Sequence, residues 1–143
     1  MNNLLEKYNT AENAEKGAEF ELMGLDGKPT GDIIVVRGSD SKTYIAATAR
    51  FHKAFSSMDE MDDDAKELLA RSHLCEFAAK LVVSINGEPI EDCKSLAAEL
   101  MKAPAVREQI EVASMKREKF VRKIDEEHSE APKAPETKEA LKQ

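Results

Sequence analysis

Residues 19–36 read EFELMGLDGKPTGDIIVV, and this stretch decides the fold. Phe20 and Leu22 alternate with Glu19 and Glu21, the period of a strand with one wet face. Ile33 to Val36 is β-branched or aliphatic throughout and makes a second strand. Between them, Asp26-Gly27 and Pro29-Thr30-Gly31 are turn signals. The stretch predicts an antiparallel hairpin over residues 19–36. A lone hairpin is marginal in water, so helices or a neighbouring subunit must cover it.

Outward from the hairpin the pattern turns helical. Ser39-Asp40-Ser41 can cap free N–H groups at the start of a helix over about 41–56. On it, Tyr44, Thr48, Phe51 and Phe55 share a face. The acidic run Asp59 to Asp64 leads into a central helix over about 64–84, where Leu68, Leu69, Leu74, Phe77, Leu81 and Val82 cover more than one stripe. Asn86-Gly87 stops that helix, because either residue takes left-handed geometry cheaply. A short helix is expected over 93–101. Pro104 suits the first turn of a final helix over 104–124. Residues 1–16 are polar and predict a flexible N-terminal arm, and residues 126–143 have the composition of a disordered tail. The expected fold class is therefore α+β: a mostly helical core with a small N-terminal antiparallel β-hairpin, in a single interaction domain over 17–125.

Composition narrows the chemistry. The chain has 143 residues, 41% of them hydrophobic, with no Trp, so aliphatic side chains and Met must fill the core. No apolar stretch approaches the roughly 20 residues of a membrane helix, and the N-terminus does not read as a secretory signal. The net charge is −7, which argues against a general affinity for nucleic acid. Between Arg107 and Lys123 the balance reverses locally, with six basic residues against three glutamates. Cys75 and Cys93 are the only cysteines and read as small buried hydrophobes. The three histidines are scattered, the glycines form no phosphate cradle, and Asp59 to Asp64 lacks the spacing of a calcium loop. No catalytic residue, metal ligand or cofactor site is expected, and the chain does not read as an enzyme. The sequence points instead to a surface that meets another polypeptide. The residues expected to carry it are Val106, Ile110 and Phe120, near helical spacing on the final helix, with Arg117 and Arg122 steering the encounter.

One resemblance spans about 100 residues. It runs through Glu19 to Leu22, Leu25-Asp26-Gly27-Lys28-Pro29-Thr30-Gly31, and Ile33-Ile34-Val35-Val36-Arg37-Gly38-Ser39-Asp40-Ser41 with Tyr44. It continues through Ile85-Asn86-Gly87-Glu88-Pro89-Ile90, Leu96 to Leu100, Pro104, Val106 to Ile110 and Phe120. In that order the motifs resemble the tail assembly chaperones and small tail-module proteins of long-tailed bacteriophages. The resemblance implies a viral protein that binds the tape measure protein, with tail tube protein as a second partner, and keeps the tape measure soluble until the tube polymerises. It implies work in the host bacterial cytoplasm and absence from the mature virion. The alternatives are a structural component of the tail or virion, and a small phage protein that binds a host protein. A homo-oligomer is expected, because a core of this size leaves the hairpin and one helix face in need of cover.

Overall fold

A computed structural model describes residues 4–5 and 8–121. The fold is α+β with a helical majority and one four-stranded antiparallel sheet. A short helix α1 (Ala11–Lys16) precedes the hairpin of β1 (Ala18–Met23) and β2 (Pro29–Val36). Two helices follow, α2 (Lys42–Ser56) and α3 (Asp63–Leu81). The chain then returns to the sheet as β3 (Val82–Ile85) and β4 (Glu88–Pro89). A 3₁₀ turn at Ile90–Asp92 leads into α4 (Lys94–Met101) and α5 (Pro104–Met115), and a second 3₁₀ turn spans Arg117–Phe120. The sheet order is β1-β2-β3-β4, so β1 and β4 are its edges.

Local chemistry accounts for most of these boundaries. Ser41 caps α2 by accepting from the Tyr44 N–H at 3.0 Å, and Asp62 caps α3 by accepting from Ala65 at 2.8 Å. Asp63 and Asp64 add negative charge to the first turn of α3. Asn86 and Gly87 both take positive φ, 51° and 82°, which closes the tight turn between β3 and β4. Arg107 Nη1 donates to the Met101 carbonyl at 2.8 Å and so satisfies the end of α4. The core gathers one face of the sheet (Leu22, Ile34, Val36) with Ala78 and Leu81 of α3, Met101 of α4, and Ile110 and Ala113 of α5.

Three expectations are corrected. The central helix ends at Leu81, not near residue 84. Val82 pairs with Val36 and Ile85 with Ile34, so this Val- and Ile-rich run covers the second edge of β2. The hairpin thereby becomes half of a larger sheet. The expected N-terminal arm, of which residues 1–3 and 6–7 lie outside the described residues, is a held helix over Ala11–Lys16. Ala14 is fully buried in α1, and polar anchors on both sides hold that helix. Thr10 donates to Asp40, and Glu15 accepts from the backbone and side chain of Thr43 and pairs with Arg37 at 3.2 Å. Finally, α5 stops at Met115. Lys116 leaves helical geometry (φ −83°, ψ 83°), and the next turn swings Phe120 back into the interior. Residues 122–124 of the expected helix and the expected tail over 126–143 lie outside the described residues.

Phe120 lands on Gly38. A Cβ built at Gly38 would stand 2.9 Å from the Phe120 ring and 3.0 Å from the Ala14 methyl. Gly38→Ala is therefore expected to destabilise the fold by about 1–3 kcal/mol, the usual effect of an extra carbon in a packed site. Chemical denaturation of the variant checks this. An unchanged midpoint would mean that the aromatic ring moves aside freely.

Two carboxyls near the same junction are held by hydrogen bonds and cations. Arg117 donates from Nε and Nη2 to Asp40 at 2.9 and 3.1 Å, and this, with the Thr10 hydroxyl, holds the Asp40 carboxyl below its ordinary range. Hydrogen bonds from Thr43, then the charge of Arg37, lower Glu15 likewise. Both carboxyls bind protons more weakly folded than unfolded. Their stabilisation is present above the ordinary carboxylate range and is lost as pH falls through it. Asp40→Asn with Glu15→Gln should lower stability at neutral pH and flatten the loss between about pH 5 and pH 3. Urea unfolding across that window tests it. An acid limb as steep as that of the unsubstituted chain would place the responsible groups elsewhere.

Candidate functional site: a groove beside the edge strand

The sequence-expected binding residues do not form one surface. Ile110 is fully buried and Phe120 is 2% exposed, so both belong to the core. This corrects their assignment to a partner. Ile110 packs among the sheet and α3, and Phe120 packs against Gly38 and Ala14. Val106 is half-buried and packs against the same core. Arg117 is held by Asp40 within the chain and is not an unengaged steering charge. Arg122 lies outside the described residues.

The outer face of α5 is a different set. Val112 is 56% and Met115 54% exposed, Glu108 is exposed on the same helix, and Lys116 is exposed just past its end. Between this face and β1 lies an open groove of about 500 Å³. Phe20, Met23, Val112 and Ala113 give it apolar walls, Glu21 and Glu108 contribute acidic groups, and Lys116 and Lys119 contribute basic ones. Elsewhere on α5, the Tyr44 hydroxyl from α2 lies 3.7 Å from the Met115 sulfur. Burial raises the Tyr44 phenol above its ordinary value, with a further push from Glu111.

Gln109 forms one end of this groove in an unusual way. Its Oε1 accepts from the Met23 N–H at 2.8 Å, and its Nε2 donates to the Met23 carbonyl at 2.9 Å. The side-chain amide thus meets both backbone groups of one residue on the open edge of the sheet. No sequence signal marks Gln109. It stands between exposed Glu108 and buried Ile110 and looks like any boundary residue on an amphipathic helix.

A second, smaller hollow of about 260 Å³ lies between α2 and α3, floored by Phe51 and Phe77, whose rings are 5.5 Å apart. His73 and Glu76 meet at its rim, Nδ1 to Oε1, at 3.5 Å. Cys75 and Cys93 are both unbridged, and burial, with Glu88 nearby, pushes the Cys93 thiol up. Among the described residues no group of three or more His, Cys, Asp or Glu is placed to hold a metal ion, and no helix is long and apolar enough to cross a membrane.

The larger groove is suited to holding a polypeptide: apolar walls for side chains, charges of both signs around them, and a sheet edge beside it. The fold and groove together define a small α+β domain with a peptide-sized cleft on its sheet edge. The chain matches no protein-family model, no curated protein and no solved structure.

Proposed function

We propose that this protein is a tail assembly chaperone of a long-tailed bacteriophage, which holds the tape measure protein soluble through the β1–α5 groove. The ordered motifs between Glu19 and Phe120 support the class. One structural observation carries the reading: Met23 and Val112 stay exposed in the wall of a groove that is open to solvent. Apolar side chains left in water next to a shaped cleft suit a partner with apolar segments of its own. A tape measure protein before assembly is such a partner, because long apolar segments aggregate when nothing covers them. The net charge of −7 keeps the complex dissolved. Release at tube polymerisation requires modest contacts, and an open groove of this size provides them.

The test is coexpression with the tape measure protein of the same phage, followed by copurification and assay of what remains soluble. Val112→Glu should cut recovery of the complex by about tenfold or more while melting hardly changes, because Val112 lies outside the core. Undiminished recovery with Val112→Glu would remove the groove from the reading. Fixed stoichiometry of the chain in purified virions would replace the chaperone role with a structural one.

A further inference from the structure

Among the described residues the sheet ends on β1, so one long side of that strand faces no other strand. Backbone groups along a strand point alternately to its two sides. Met23 points its N–H and C=O outward, since Gln109 takes both. Ile33, opposite Glu21, gives both its N–H and its carbonyl to Asn86 on the far side of β2, so Glu21, and Glu19 two residues earlier, direct theirs to the open side of β1. Among the described residues no side chain bonds the backbone of either one. The groove runs alongside this edge, with Glu21 in its wall.

We propose that β1 receives an extended partner segment by strand addition along Glu19 to Glu21, and that Gln109 closes this lane at Met23. The Gln109 amide supplies what a neighbouring strand residue would supply, one acceptor and one donor to a single residue. It is a one-residue stand-in for the strand that would otherwise continue there. The inference rests on the groove being the docking site and adds the form and charge of what docks.

The occupant follows from the side chains. On one face of the sheet an added strand would lie beside Glu19 and Glu21, both exposed. On the other it would lie beside Phe20 and beneath Val112 and Ala113. Its own side chains therefore alternate, basic toward Glu19 and Glu21 and apolar toward Phe20 and Val112. A second copy of β1 does not fit. Antiparallel pairing about Phe20 would set Glu19 of each copy against Glu21 of the other, and like charges placed directly opposite repel. The same two glutamates that guard the edge against self-pairing select a basic partner segment.

The experiment uses the full chain and a synthetic peptide of about eight residues alternating lysine and valine, the length of an ordinary strand. Three comparisons are made by fluorescence titration: the alternating peptide, a block peptide of the same composition, and a lysine/leucine peptide of equal charge patterned as a helix. The alternating peptide should bind about tenfold tighter than either control, as expected where backbone pairing and side-chain register act together. Glu19→Lys with Glu21→Lys should abolish that preference. Gln109→Ala should tighten binding by about fivefold, because Met23 then offers another pair of hydrogen bonds to the peptide. Isotope-edited infrared spectra should place the bound peptide's carbonyls in a strand. Equal binding of the alternating and block peptides, with no effect of the glutamate substitutions, would overturn the proposal. Preference for the helical peptide would also overturn it, yet would leave the groove as the docking site. Loss of the docking site itself is read separately, from Val112→Glu and the tape measure protein.

Discussion

Phe120→Ala is expected to lower the stability of the domain by about 3–5 kcal/mol, the range for an aromatic side chain removed from a packed interior. The ring is 2% exposed. It fills the space between Gly38 and Ala14, where even one added carbon has no room. Deleting it leaves a cavity whose walls cannot easily close. The Gly38 N–H is tied to the Ala14 carbonyl at 2.9 Å, and the Ser39 N–H to the Ser114 carbonyl at 2.9 Å. These bonds hold the walls in place, so the cost should fall in the upper part of the range. The loss should also loosen α1, which contributes Ala14 to the same contact. Guanidinium unfolding gives the number, and amide exchange at residues 11–17 gives the local effect. A loss below about 1 kcal/mol would mean that Phe120 can leave the interior, and would return it to the candidates for partner contact.

Why Phe120 looked like a binding residue has a definite cause. Its spacing from Val106 and Ile110 is helical only if the helix continues past Met115. The break at Lys116 depends on Arg117 reaching Asp40 and on Phe120 finding Gly38. Those contacts join positions more than seventy residues apart, and local periodicity carries no trace of them. The same holds for Val82 to Ile85. Their β-branched side chains suit a strand, but Leu81 and Val82 also extend the apolar face of the preceding helix. The second edge of β2 decides the matter, since Val36 and Ile34 need partners there. In α1, the deciding groups are Asp40 and Thr43, about thirty residues away.

Where local chemistry sufficed, the elements were legible. The hairpin follows from Asp26-Gly27 and the run Ile33 to Val36. Ser41 and Pro104 mark helix starts by mechanisms that need nothing distant. The groove is legible only in part. Glu19 and Glu21 announce the wet face of a strand, but which edge stays open depends on a sheet order that only the returning β3 fixes. The bracket by Gln109 depends in turn on how α5 lies against that edge.

Ile110 and Val112 sit two residues apart on α5 and should answer substitution in opposite ways. Ile110→Ala is expected to lose about 2–5 kcal/mol, because the side chain is fully buried among sheet and helices. Val112→Ala is expected to change stability by no more than about 0.5 kcal/mol, since its side chain faces water. Two positions on a helix are about 200° apart, so one rotation of α5 cannot bury both. The contrast therefore measures which face the helix turns inward, independently of any partner. It also separates two accounts of the final helix. If Ile110 were the contact residue, its truncation would spare melting and impair binding, and Val112 would show the reverse. With the core on the Ile110 side, soluble and well-folded Val112 variants become the proper instruments for partner binding, whereas a binding defect in an Ile110 variant would only report a fold already lost. Urea unfolding of the two single variants and the double variant settles the rotation. Comparable losses at both sites would mean that α5 is covered on its outer face as well, by another chain or another copy of this one.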